Sequence, residues 1–158
     1  MTSGFVGVRT SWIWGLSLIA LTIMVHAMGL SLAAFMLRRI RVRLESAGLG
    51  LRHGYAIFIG TIGAVGLMLA VLHGIEAAFW AEAYLWLGAV DSPEAAILYS
   101  VDSMSTRGAS GQVLQQNWQL MGALEAFNGM LLFGLSTAFI FAVMQVYWPL
   151  ISNRHNPP

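Results

Sequence analysis

His73 and Glu76 stand three residues apart in LHGIEAAFW, so a helix through them turns an imidazole and a carboxylate to one face. Glu125 and Asn128 repeat that spacing in GALEAFNGM, and His26 sits alone in LTIMVHAMGL. Imidazole with carboxylate is the ligand set of a transition metal or the relay of a proton. Ionisable groups inside apolar runs are costly to desolvate and mark functional candidates by default. His26, His73, Glu76 and Glu125 are therefore the possible proton or metal residues. A di-iron bundle takes about six such ligands, including two Glu-x-x-His pairs. The chain lacks that set, so interhelical hydrogen bonding is the expected use, and neither a bound transition metal nor another cofactor is expected.

A second constellation lies in LYSVDSMSTRGASG, residues 98–111, where Asp102 and Arg107 sit between long apolar stretches. Buried charges are usually paired, and one turn of helix separates Asp102 from the loop that follows, so an Asp102–Arg107 ion pair is plausible. Other chemistry has little support. There is no cysteine, which removes disulfides and thiolate sites. The serines have no His/Asp partner at informative spacing, and no phosphate-binding loop is present. No catalytic residue, and no enzyme, is expected. Nor does a basic patch with interleaved aromatics suggest nucleic acid.

The elements that must hold these groups are membrane helices. The chain is 158 residues long, 58% hydrophobic and 9% charged, with a mean hydropathy of +0.71, whereas soluble domains carry about 25% charged residues. Three stretches reach the roughly 20 apolar residues a span needs: about Trp12 to Leu37, Tyr55 through Val90, and Trp118 to Trp148. The first is too long for a signal peptide, and its positive charge follows the apolar run. Arg38, Arg39, Arg41, Arg43 and Arg52 fall in the expected loop between spans one and two. The positive-inside rule puts that loop in the cytoplasm, the N-terminus outside and the C-terminus inside. Trp12, Trp14, Trp80, Tyr84, Trp86, Trp118, Tyr147 and Trp148 lie at span ends, as an aromatic belt requires.

Between spans two and three, Ser92-Pro93-Glu94 is a helix-start signature. It predicts a helix from Pro93 to about Met104, too short to cross a bilayer, with a break near Gly88 and Asp91 before it. The following Ser105 to Gly111 is small and glycine-punctuated. Non-helical backbone at membrane depth survives only where protein buries it or water lines it. A short helix and such a loop between two spans is the layout of a re-entrant pore loop. An external amphipathic helix is the alternative. Gly60, Gly63 and Gly66, with Ala64, give span two a small-residue surface for close helix packing.

The layout and the letters ILYSVDSMSTRGASG resemble the pore module of tetrameric potassium channels, particularly small bacterial two-transmembrane members. Tyr99 and Ser100 match that family's aromatic-serine pair, and Ser103 and Ser105 stand at its first threonine positions. Thr106 matches the last threonine and Gly108 the first filter glycine. The following GALEAFNGMLLFGLSTAFIFAVM is similar to its inner helix, with Gly129 and Gly134 near the hinge position. The filter departs from the pattern, with Arg107 for valine or isoleucine and Gly108-Ala109-Ser110-Gly111 for G-Y-G-D.

The resemblance implies an all-α membrane protein with three transmembrane helices, a re-entrant pore helix and a filter-like loop. Residues 1–54 hold the first span and the arginine-rich loop, 55–148 the pore module, and 149–158 a short cytoplasmic tail. The implied function is cation transport, of potassium or another cation, through a homotetramer in a bacterial inner membrane. Tyr99, Ser100 and Asp102 belong to the pore helix, Ser105, Thr106, Arg107, Gly108, Ala109 and Ser110 line the path, and Gly129 or Gly134 is the hinge. The partners implied are other copies of the chain and the lipid bilayer. A non-conducting channel-like scaffold and a small membrane metalloprotein built on the His/Glu residues are the alternatives.

Overall fold

A computed structural model of the chain describes residues 2–46, 51–105, 107 and 113–149. Among these, all regular structure is helical: α1 (Thr2–Ser46), α2 (Leu51–Trp86), α3 (Pro93–Met104) and α4 (Gln119–Tyr147). A 3₁₀ turn over Gln116–Trp118 leads into α4. Three segments are long and apolar enough to cross a membrane: Gly7–Arg43, His53–Trp86 and Gln116–Tyr147.

Helix α1 runs further than its apolar stretch. Arg38, Arg39, Arg41 and Arg43, expected in a loop, lie on its last turns. Arginine, leucine and glutamate are good helix formers, and RRIRVRLES contains neither glycine nor proline to stop it. The Arg43 charge also suits the negative end of the helix. The Arg39 guanidinium sits 4.3 Å from the centre of the Phe35 ring, one turn back.

Helix α2 stops where Gly88 takes a left-handed backbone, φ +64. The Ala89 amide donates to the Tyr84 carbonyl at 2.8 Å and the Gly88 amide to the Leu85 carbonyl at 3.0 Å, closing the last turn. Five residues after Gly88, α3 begins at Pro93. Ser92 caps it, its hydroxyl accepting from the Ala95 amide at 3.2 Å, and Pro93 occupies the first turn. The helix ends at Met104, where the sequence expects it to.

The chain forms two compact units: Met1–His26 with Leu72–Gly134, and Ala27–Val71 with Leu135–Pro158. The first has a core of Leu18, Trp80, Tyr84, Ala89, Leu114 and Met121. The second packs Val65 and Leu69 of α2 with Val143 and Tyr147 of α4. There the Tyr147 hydroxyl donates to the Leu37 carbonyl of α1 at 2.8 Å. Trp80, Tyr84 and Tyr147, expected in an aromatic belt, are fully buried in these cores, whereas Trp12, Trp86 and Trp148 remain exposed.

Within the first unit α3 lies along the start of α4, with both chains running the same way. The Tyr99 hydroxyl fills the space a side chain would take at Gly122, and Ser103 Oγ donates to the Gly122 carbonyl at 3.2 Å. Deeper along α4, the Met104 backbone lies against Gly129, and a Cβ there would fall 2.7 Å from the Met104 Cα. Gly129 is about 15 Å beyond Gln119, at 1.5 Å rise per residue. Leu114 is buried beside Gly122, and the Gln115 amide donates to the Ala89 carbonyl at 3.3 Å.

Candidate functional site

The polar groups of the first unit are set by one face of α1. Ser11, Gly15, Leu18, Thr22 and His26 recur every three or four residues and are all buried. Each has a use. Ser11 donates to the Asn117 carbonyl at 2.9 Å, and Gly15 admits the Leu124 side chain, whose Cδ1 would lie 2.5 Å from a Cβ there. Thr22 accepts from Asn128 Nδ2 at 2.8 Å, and its hydroxyl lies 2.9 Å from the Leu18 carbonyl to which it donates.

His26 meets α2. Its Nδ1 lies 2.8 Å from Glu76 Oε1, and both side chains are 0% exposed. From one turn earlier on α2, His73 Nδ1 approaches the other oxygen, Glu76 Oε2, at 3.3 Å. The two imidazole rings lie 5.2 Å apart. One atom from each of His26, His73 and Glu76 falls within 4.8 Å of the other two. His73 is 29% exposed, so the cluster is open on its side.

Glu125 does not join them. The Tyr84 hydroxyl donates to Glu125 Oε2 at 2.8 Å, and Ser100 and Ser103 of α3 face the same carboxylate. Three helices thereby converge on one buried acid. Tyr99 stands edge-on to Tyr84, ring centres 5.4 Å apart. Burial, with Glu125 beside it, pushes the Tyr99 phenol up to about 12. The four candidates read from sequence thus divide three to one, into a His/Glu cluster and an acid held by a tyrosine.

At the foot of α3, Arg107 reaches back to Asp102, with Nη1 3.5 Å from Oδ1. The carboxylate is 4% exposed and the guanidinium 67%. The Arg107 amide also donates to the Asp102 carbonyl at 3.1 Å, and the Ser105 hydroxyl does so at the same distance. Ser100 and Asp102 are buried, Tyr99 half-buried and Ser105 exposed. Thr106, Gly108, Ala109 and Ser110, expected to line a path, lie outside the described residues. Gly129 and Gly134 are interior to an unbroken α4. Gly129 is taken up by the Met104 contact, whereas Gly134 has open space around it.

Tyr84 and Thr22 are the residues that sequence reading missed. Tyr84 carried the signal of an interfacial aromatic, and Thr22 that of a small residue in an apolar run. The four-three-four-four spacing from Ser11 to His26 was the available sign. No family model, curated protein or solved structure matches the chain.

Proposed function

We propose that the chain is the subunit of a homotetrameric cation channel of the potassium-channel superfamily with an atypical filter, α3 being its re-entrant pore helix. One observation carries the reading. Helix α3 runs alongside α4 in the same direction, and its Met104 end rests against Gly129, about 15 Å beyond the start of α4. A surface helix would have no reason to descend beside a span. The return to Leu114 and Gln115 at the head of α4 supports a loop that enters and leaves by the same face.

The negative end of α3 favours a cation beyond it. Ile97, Leu98 and Val101 leave an exposed apolar side on α3. Gly60, Gly63 and Gly66 have nothing within 4 Å of the space a side chain would take. Both suit contact with further copies. The arginines of α1 favour a cytoplasmic end there and an external N-terminus. Arg107 is the obstacle to ordinary selectivity. Two unit charges about 4 Å apart repel by roughly 4 kcal/mol at an effective dielectric near 20, and a fourfold ring multiplies such pairs. Its tether to Asp102 draws the charge back toward the protein.

The test is the protein reconstituted in lipid, assayed for oligomeric state and for rubidium tracer flux. A tetramer passing cations is expected, with flux raised in Arg107→Val. A monomer overturns the reading. A tetramer with no flux in either form overturns conduction and leaves the scaffold that the exposed Arg107 charge also favours.

A further inference from the structure

We propose that His26, His73 and Glu76 form a binding site for a divalent transition metal of the zinc class, clamping α1 to α2. The proposal is independent of any pore, since none of the three residues lies on α3 or in the loop after it.

The chemistry of the donor set comes first. Two imidazole nitrogens and one carboxylate oxygen are ordinary zinc ligands, and imidazole also suits copper, nickel and iron. Zinc holds nitrogen and oxygen at about 2.0–2.2 Å, so neighbouring ligands on a tetrahedral ion stand roughly 3.4 Å apart. His73 Nδ1 and Glu76 Oε2 are 3.3 Å apart, His26 Nδ1 and Glu76 Oε1 2.8 Å. Glu76 Oε2 and His73 already stand as far apart as two ligands on a shared ion, and one ligand atom from each of the three residues lies within 4.8 Å of the other two, so a small rotation of the side chains brings the set onto one ion.

Charge compensation alone does not account for the arrangement. A buried carboxylate needs a polar partner, and His26 at 2.8 Å supplies it. The second imidazole is redundant for that purpose. Yet His73 stands on the same face of α2 as Glu76 and points its nitrogen at the remaining oxygen. Glu76 Oε2 is itself buried, and the approach of His73 at 3.3 Å is its compensation. An acceptor fixed between two imidazoles is what a metal uses. Binding exchanges the proton between His26 and Glu76 for the ion. The partial exposure of His73 leaves the open side of the cluster for entry and for a fourth ligand.

The experiment uses the full chain in detergent, stripped of metal, titrated with Zn²⁺ by equilibrium dialysis and with Co²⁺ by visible absorption. One zinc per chain and the ligand-field bands of tetrahedral Co²⁺ are expected. Losing one ligand in His73→Ala or Glu76→Gln should weaken binding by more than roughly 100-fold, beyond what a supporting residue costs. His53→Gln and His155→Gln should leave it unchanged. Circular dichroism reports whether each variant keeps its helices. His73→Cys adds a readout that needs no loss of function, a thiolate-to-cobalt charge-transfer band. Binding that survives in the triple variant His26→Ala, His73→Ala, Glu76→Gln overturns the site. So does binding lost in His155→Gln, or a His73→Cys protein that binds Co²⁺ without the new band.

Discussion

The Tyr84 hydroxyl of α2 donates to the Glu125 carboxylate of α4 at 2.8 Å, behind the inner side of α3. Both side chains are fully buried. The bond therefore joins two spans and provides the acid with a donor that lipid cannot.

Tyr84→Phe removes that donor and leaves the ring. A buried acceptor without its partner costs about 1–3 kcal/mol, so the melting temperature in detergent should fall. Glu125→Gln retains an acceptor for Tyr84 and should cost less. If Tyr84→Phe melts with the unaltered protein, the bond contributes no stability.

Gly129→Ala is expected to be the most damaging small substitution on α4. Its new methyl meets the Met104 backbone, which cannot swing aside, and overpacking of this kind costs about 1–3 kcal/mol. Gly122→Ala meets the Tyr99 hydroxyl, the far end of a side chain, and should be milder. Gly134→Ala, with open space around it, should be neutral or slightly stabilising. Thermal unfolding of the three variants gives the order.

How much could be read from sequence follows from the range of each interaction. Span existence depends on run length, and α3 on Ser92, Pro93 and Glu94 within one turn, so both were legible. The arginines were misplaced because charge was taken as the end of a helix, although arginine prolongs one. His26 and Glu76 were recognised as odd residues, but their meeting joins positions 50 apart and no local pattern reports it. Glu125 was grouped with them by chemical type, whereas its partner Tyr84 was a tyrosine at a span end. The filter-like loop was read from a resemblance alone, and most of it lies outside the described residues.

Thr22 and Asn128 should show coupling in a double-mutant cycle with Thr22→Val and Asn128→Leu. Interhelical hydrogen bonds within membranes average about 0.6 kcal/mol and reach about 1.7. A value within that range is expected from unfolding in mixed micelles. Additive effects of the two substitutions count against the 2.8 Å contact.

Tyr99 gives an alkaline signature. Its phenol ionises near 12 in the folded chain and near 10 when unfolded. The unfolded state thus loses its proton first, and the stabilisation present below pH 10 is lost as pH rises toward 12. The difference in melting temperature between Tyr99→Phe and the unaltered protein should change across that window and stay constant below it. A difference that is flat throughout contradicts the shift.

The buried stripe on α1 also sets two different costs of closure. Ser11 reaches the Asn117 carbonyl in the turn before α4 and Thr22 reaches Asn128 on α4, each 106 residues further on, whereas His26 meets Glu76 of α2, 50 residues away. Closing the His26–Glu76 contact needs a shorter loop than closing the contacts of Ser11 and Thr22, and a shorter loop costs less chain entropy. The contacts of α1 with the far end of the chain therefore carry the larger cost of closure.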